Sequence, residues 1–517
     1  MNKIYSYTVN SFSLSNPNLL RNILFLAFAI RMVSVLFAKG FGMLDDHFLV
    51  IEASQSWVDG TDYNNWLPSS GAKVPDGHSF FYSGIHFILF TIIKFFGIND
   101  PQHKMYIIRF LHAMFSLITV GCGFKIAEKL SGTKAARMTG FLLALYWFMP
   151  WLSVRNLIEV TCVPFMMWGS WIYVKATTEK SKIIHYFISG LIIGLAVDIR
   201  FQVLFYVIGF GFGMLLLKQW KEALLWSAGV ILSFCLIQFF VDIGIWGYPF
   251  AQFIEYVKYN IDNAYHYIRN PWYSYFLLIF GILLPPMCFF WFFGFLRSYK
   301  MQWALFAGTM LFLVFHSYFP NKQERFILPI VPMIITLGVV GWLEFYNKSN
   351  FWARHKKMMR VCLIIFWSLN LLLLPFVSAM YSKKSRVESM YYLSRYPDLK
   401  CILLEDIYKR EPDMPPLFYL GQWIVVLNVC EKYPIDSLQT KLHKWGAEWN
   451  PRFALFFDDK DINRRVASVK TVLPDLEYET TIKPSFIDDL LYRMNPNNTN
   501  QTVVIYRNRD FYPQKKE

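Results

Sequence analysis

Gly42-Met43-Leu44-Asp45-Asp46-His47 follows a mostly apolar run at residues 31–41, and this juncture decides how the chain is read. Carboxylates at the mouth of a hydrophobic helix are unfavourable to bury and rarely needed for packing. A membrane-spanning chain that places two of them there presents them to a polar partner. Two questions follow: whether the chain crosses a membrane, and which side these acids face.

Composition answers the first. Of 517 residues, 55% are hydrophobic and 19% aromatic, while only 17% are charged, which is not the balance of a soluble enzyme. Apolar segments near the ~20 residues that a bilayer core demands run over 22–40, 80–97, 105–124, 138–152, 158–175, 184–199, 201–217, 223–242, 272–296, 302–318, 327–346 and 361–379. The formal charge of +15 lies in short basic segments between these runs. That is the pattern of cytoplasmic loops facing anionic lipid, so membrane lipid is the expected partner and nucleic acid is not. The first apolar run follows a polar stretch of about twenty residues without a small-residue cleavage site and reads as a signal anchor. Cys122, Cys162, Cys235, Cys288 and Cys362 fall in apolar runs as packing residues. Cys401 and Cys430 either pair in an oxidising compartment or stay as two buried thiols.

Basic loops set the orientation. Lys125, Lys129, Lys134 and Arg137 form one group, Lys175, Lys180 and Lys182 the next, and Lys218 with Lys221 a third. Arg297 and Lys300 follow, then Arg354, Lys356, Lys357 and Arg360. All are cytoplasmic if every segment after 124 crosses, which leaves 153–156, 198–200, 242–271 and 319–325 on the opposite side. With a cytoplasmic amino terminus, segment 22–40 delivers Asp45 to the outside. One of 80–97 and 105–124 must then lie in the interface. The former is interrupted by His78, Tyr82, Gly84, His86 and Lys94 and is the better candidate. The expectation is a mainly α, polytopic membrane helical bundle of about eleven spans over residues 1–380, with an external loop at 41–104. An external amino terminus, with both segments crossing, would instead put Asp45 in the cytoplasm.

After 380 charge rises and short β-type runs appear at 401–404, 423–429, 453–457 and 502–506, with a helical stretch at 435–445. Residues 381–517 therefore read as a small α/β soluble domain on the same side as Asp45. The sequons at Asn497 and Asn500 matter only where that compartment glycosylates proteins.

A helix beginning at Asp45 would place Glu52, seven residues on, along the same face and in the same cleft. Such a carboxylate can take a proton from an attacking hydroxyl. The alternative is simple N-terminal capping, which needs one acid rather than three. A metal site lacks a third clustered oxygen ligand, and none is expected. A second constellation, Asn321-Lys322-Gln323-Glu324-Arg325-Phe326, lies on the external side, where Lys322 and Arg325 suit a lipid-linked phosphate. Arg155 and Arg200 are also cations against the orientation bias; each can serve a substrate anion or pair structurally with Asp198, Glu159 or Asp242.

These motifs together resemble glycosyltransferase family 22, the polyprenyl-phosphate-mannose-dependent mannosyltransferases of GT-C type. Leu44-Asp45-Asp46-His47-Phe48-Leu49 and Glu52-Ala53-Ser54 match the family's Pro-Asp-Glu-His-Trp-Gln and Glu-Val-Ala in order and spacing. Asn321-Lys322-Gln323-Glu324-Arg325-Phe326-Ile327-Leu328-Pro329 is similar to its His-Lys-Glu-x-Arg-Phe-x-x-Pro. Arg155-Asn156-Leu157-Ile158-Glu159 resembles Arg-Thr-x-x-Asn-x-x-Glu, and Asp242, Trp246-Gly247-Tyr248, Tyr259-Asn260 and Asn270-Pro271-Trp272-Tyr273 follow the family's later series. Asp46 stands where the family has Glu, Asn321 where it has His and Gln323 where it has Glu, the pattern of a divergent member.

The resemblance implies an inverting transfer of a hexose, mannose in most of the family, from a polyprenyl phosphate to an acceptor hydroxyl on the periplasmic or lumenal face. Asp45 is the expected general base, with Asp46 beside it as the second catalytic residue. His47, Glu52, Arg155, Arg200, Asp242, Lys322 and Arg325 are the expected substrate-binding residues. The lipid-linked sugar phosphate is the donor, the acceptor is a glycan, glycolipid or glycoprotein, and no cofactor is expected. Alternatives are another GT-C transferase, of the lipid A aminoarabinose or protein mannosyl type, and a transporter or flippase. A transporter would place its charges near the midplane and show two related halves.

Overall fold

The computed structural model of the chain describes residues 10–75, 77–179, 182–266, 269–495 and 498–509. Lys180 of the second basic group and Asn497 of the first sequon lie outside the described residues. The chain packs into two compact units. One comprises Met1–Phe37, Asn64–His86 and Ile107–Ala379, and the other Ala38–Tyr63, Phe87–Tyr106 and Met380–Glu517. The second unit thus takes in two segments from the start of the chain, 38–63 and 87–106, together with the C-terminal residues.

In the first unit the apolar runs become helices. Among the described residues, five are long and apolar enough to cross a membrane: Leu19–Phe37, Pro101–Ser131, Trp220–Trp246, Glu324–Lys348 and Lys356–Ser378. Ser274–Ile282 and Met287–Lys300 meet at 118° and make a sixth if they form one broken span. Phe80–Phe95, Ile184–Ile199, Phe201–Leu216 and Trp303–Tyr318 are apolar but shorter. Fewer full-length helices result than the eleven crossings expected, because several apolar runs are interrupted. Segment 138–152, for example, becomes Thr133–Leu145 followed by Met149–Leu152.

Interruptions in an apolar phase require side chains to replace lost backbone partners. Asn370 does this at the first break, accepting from the Trp147 amide at 2.9 Å and donating to the Leu145 carbonyl at 2.8 Å. Near the 118° bend, the Tyr146 hydroxyl donates to the Leu283 carbonyl at 2.7 Å and the Trp147 indole to Ile282 at 3.0 Å. Arg31, only 1% exposed, is accommodated in the same way: Nε donates to Ser116 Oγ at 2.7 Å and Nη2 to the Leu143 carbonyl at 3.3 Å.

Close helix contacts rest on small residues. Gly294 faces the Gly338 carbonyl and Gly341 faces that of Gly294, so that a Cβ added at either would strike backbone. The helices Met287–Arg297 and Val331–Lys348 approach there backbone to backbone. Gly294→Val is predicted to destabilise the protein by about 2–3 kcal/mol through overpacking, read as a lower midpoint of thermal unfolding in detergent; an unchanged midpoint would contradict this packing.

The second unit is built on a five-stranded mixed sheet of β1 (Cys401–Asp406), β2 (Val425–Cys430), β3 (Phe453–Phe457), β4 (Leu476–Ile482) and β5 (Val503–Asn508), in the order β2-β1-β3-β5-β4. β1 runs parallel to β2 and β3, while β5 is antiparallel to β3 and β4. β1 and β3 are buried along their whole lengths, which is why β3 and the first four residues of β1 read as uninterrupted apolar runs. Helices Ile435–Trp445 and Ile462–Lys470 place Leu438, Leu442, Val466 and Val469 against Leu403, Leu427 and Phe456. Cys401 opposes Val425 and Cys430 opposes Asp406, so the two cysteines lie at opposite ends of neighbouring strands. Both are buried free thiols, too far apart along the strands to be bridged.

Lys383 precedes helix Lys384–Leu393, with Nζ donating to the Asn498 carbonyl at 3.0 Å. Burial, then Arg386, pushes its ammonium down to about 8, whereas the unfolded chain titrates near the ordinary lysine value of ~10.4. Between these values the unfolded state holds a proton that the folded state lacks, so stability contributed by Lys383 rises with pH across that window. Below it, the folded state carries the full cost of a buried charge. Comparing Lys383→Met with wild type, the variant's relative melting temperature should therefore fall as pH rises from about 8 to about 10; a constant difference would contradict this.

Candidate active site

In the helical unit, three separated segments bring charge to one point. The helix Ile158–Thr161 carries Glu159, whose carboxylate is fully buried. Arg200 ends the helix Ile184–Ile199 in extended backbone, and its Nη2 lies 3.0 Å from Glu159 Oε1. Arg325, in the helical turn Glu324–Ile330, places Nε 3.5 Å from the same oxygen. A glutamine two residues away steadies each guanidinium: Arg200 Nε donates to Gln202 Oε1 at 3.1 Å and Arg325 Nε to Gln323 Oε1 at 2.9 Å. Gln323, which stands where the family has Glu, thus still accepts from the arginine. The ring of Phe326 lies 5.1 Å from the Arg200 guanidinium and 5.7 Å from that of Arg325. Two arginines around one carboxylate leave a net positive charge in a dry setting, where an anion interacts far more strongly than in water. Of the partners the sequence offered, Arg200 takes Glu159, and it does so beside Arg325.

The remaining basic candidates lie near this cluster in sequence but hold other contacts. Lys322 is 7% exposed, its Nζ donates to the Phe319 carbonyl at 2.6 Å, and burial lowers its pKa from the usual lysine value. Arg155 stacks over Trp151 at 4.4 Å. Its carbonyl lies 3.1 Å from His112 Nδ1, and His112 Nε2 is 3.0 Å from the Tyr82 hydroxyl. That second bond suits Nε2 as acceptor, with Nδ1–H donating to Arg155. Asp242 instead accepts from the Gln252 amide at 3.3 Å in the first turn of Ala251–Asp262, a backbone-holding role. Sequence reasoning missed Gln202, Phe326 and His112. Only Phe326 carried a signal, as the residue after Arg325 in the late motif.

The acidic motif belongs to the second unit. Asp45 opens a seven-residue π-helix, Asp46–Glu52, and makes no capping hydrogen bond, so the capping alternative does not describe it. The π register also alters the expected shared face of Asp45 and Glu52. In a ladder of i→i+5 bonds, residues five apart stack, and His47 Nε2 accordingly lies 3.5 Å from Glu52 Oε1. Both are buried, His47 at 2% and Glu52 at 1% exposure, and Asp46 is buried beside them. Asp45 itself is exposed. The structure thus presents one carboxylate of this motif and packs the rest inward.

A helical membrane unit with charged loops, carried with a small mixed-sheet domain, has counterparts among solved structures. ArnT from Cupriavidus metallidurans, crystallised with undecaprenyl phosphate, aligns at a TM-score of 0.60 over 94% of this chain and 97% of its own, with 13% identity. The Archaeoglobus fulgidus oligosaccharyltransferase aligns at 0.54 over 89% of this chain and 72% of its own, with 11% identity. The fold is that of the GT-C glycosyltransferases. In sequence, the Alg9-like mannosyltransferase family matches residues 22–432, and the chain belongs to that family. It is a membrane glycosyltransferase, as the order of its motifs implied. An uncharacterized protein of Aquifex aeolicus is 24% identical over 408 residues, 73% of this chain and 75% of its own. The mouse alpha-1,2-mannosyltransferase ALG9 is 26% identical over 146 residues, 24% of this chain and 23% of its own length.

Removing Glu159 would leave two buried guanidinium groups facing each other without their counter-charge. Glu159→Gln, which keeps the volume, is predicted to lower stability by about 3 kcal/mol, measured as thermal unfolding in detergent. A variant as stable as wild type would show that the carboxylate does not hold the arginines.

Proposed function

We propose that the protein transfers a hexose, mannose, from a polyprenyl phosphate to an acceptor hydroxyl on the extracytoplasmic or lumenal face, with inversion at the anomeric carbon. The acceptor oxygen attacks the anomeric carbon while its proton passes to Asp45. The bond from that carbon to the phosphate oxygen breaks, and the prenyl phosphate leaves with the electron pair. Asp45 is suited to the role as the exposed acid of its motif, within reach of a hydroxyl that approaches from outside the packed residues. Arg200 and Arg325 meet the charge that grows on the phosphate, with Lys322 and Arg155 adding to the positive field. The leaving group is already a phosphate ester, so the reaction draws on the chain's own cations and uses no cofactor.

The observation that carries this reading is the gathering of Arg200 and Arg325 on one buried carboxylate. Membership of the Alg9-like mannosyltransferase family supports the sugar, and the undecaprenyl phosphate in the ArnT crystal supports a lipid-linked phosphate as the class of donor. The orientation, with Asp45 and the C-terminal domain outside the cytoplasm, rests on the distribution of basic loops. The acceptor is a glycan, glycolipid or glycoprotein.

Asp45→Asn, assayed in membranes with labelled polyprenyl-phosphate mannose, is predicted to lower turnover by about 10²–10⁴-fold, the usual worth of a general base. Transfer near the wild-type rate would remove Asp45 from the mechanism. Transfer of a different sugar, such as aminoarabinose, with the same dependence on Asp45 would correct the donor and leave the chemistry standing.

A further inference from the structure

The residues behind Asp45 face a turn of the C-terminal domain. Glu52 Oε1 accepts from the Phe418 amide at 3.0 Å, and its second oxygen is buried without a hydrogen-bond partner among the described residues. The His47 ring lies between Phe41, at 4.5 Å and 17°, and Tyr419, at 5.4 Å and 5°. Phe418 meets the same ring edge-on at 6.2 Å. Phe418 and Tyr419 belong to the short helical turn Leu417–Tyr419. The chain just before Asp45 is held as well: the Gly40 amide donates to the Tyr381 carbonyl at 3.0 Å, Ser382 Oγ to the Phe41 carbonyl at 2.7 Å, and the Tyr419 hydroxyl to the Lys39 carbonyl at 3.2 Å.

The helix between these anchors is of a kind that needs support. A π-helix is rare and short and persists where its surroundings over-determine it. In an α-helical register His47 would stack on Val50 or Ile51. Only the π register brings it to Glu52, the residue whose carboxylate the Phe418 amide holds. Loss of the Tyr419 stack or of the Glu52 carboxylate therefore removes what distinguishes the π register from the commoner one. A change of register would rotate Asp45 at the head of the helix.

We infer that the turn Leu417–Tyr419 of the C-terminal domain sets the direction of Asp45, with Tyr419, His47 and Glu52 as positioning residues that act through the π-helix. This gives the C-terminal domain a role in turnover separate from any recognition of the acceptor. It rests on Asp45 as the base of the proposed transfer.

The test compares Tyr419→Leu with Tyr419→Phe, and Glu52→Leu with Glu52→Gln, in the full-length protein, with Asp45→Asn as control. The leucine variants are predicted to lose about 100-fold in kcat, the scale of a 1 Å misplacement, while donor KM stays near wild type. Tyr419→Phe keeps the ring and Glu52→Gln keeps an acceptor for the Phe418 amide, so both should recover most of the lost rate. Hydrogen exchange at residues 45–52 should quicken in the leucine variants, with β1 and β3 still protected. Wild-type kcat in both leucine variants, beside an inactive Asp45→Asn, would overturn the inference and spare the base. An active Asp45→Asn would remove the base, and the exchange at 45–52 would then decide the positioning claim alone. Loss of protection throughout the sheet would reduce the turn to a general packing contact and overturn it. Should Tyr419→Leu fail to fold, the Glu52 pair carries the same comparison.

Discussion

Glu159 lies fully buried with Arg200 and Arg325 at its carboxylate, and three separated segments of the helical unit must stay in place for the arrangement to hold. Isolated, a buried guanidinium is among the most unfavourable groups a protein can hold. Two of them become tenable here because each has the shared carboxylate, a glutamine at Nε and the face of Phe326. Replacing this set by apolar residues would be no loss to stability in general. Stability alone therefore gives little reason to keep a positively charged cluster in an apolar unit, whereas the proposed donor phosphate would give one.

The backbone around it obeys the same constraint. Helices that end inside an apolar unit leave carbonyls and amides that no solvent can satisfy. Asn370 closes the gap at residues 145–147, while Tyr146 and Trp147 satisfy carbonyls near the bend at 282–287. Arg200 and Arg325 likewise sit where regular helix gives way, in extended backbone after Ile199 and in the turn Glu324–Ile330, and both side chains stay buried.

What could be read from residues alone follows from how strongly each feature disturbs local expectation. Basic residues on the side expected to be poor in them singled out Arg155, Arg200, Lys322 and Arg325, of which Arg200 and Arg325 meet at Glu159, and acids at a span end singled out Asp45. The uninterrupted apolar runs at 401–404 and 453–457 became β1 and β3 because both faces of each strand are buried. β4 was not foreseen: Leu476-Glu477-Tyr478-Glu479-Thr480-Thr481-Ile482 lies at the sheet edge, half-exposed, and its two glutamates mask the alternation. The π register was equally illegible, since nothing in Asp46-His47-Phe48-Leu49-Val50-Ile51-Glu52 distinguishes it from an α-helix. It depends on Phe418 and Tyr419, more than 360 residues away in sequence. Asp242 was conspicuous as an acid in an apolar segment, but its contact with the Gln252 amide could not be read from the residues.

The central claim is that the arginine pair held by Glu159 receives the phosphate of a prenyl-linked donor. Equilibrium binding of undecaprenyl phosphate to the purified protein, compared with Arg200→Ala and Arg325→Ala, addresses it without requiring the acceptor. Each substitution is predicted to weaken binding by about tenfold or more, the worth of a charge-assisted contact in a buried site. Equal affinity across the three proteins would contradict the account and leave these arginines as structural partners of Glu159.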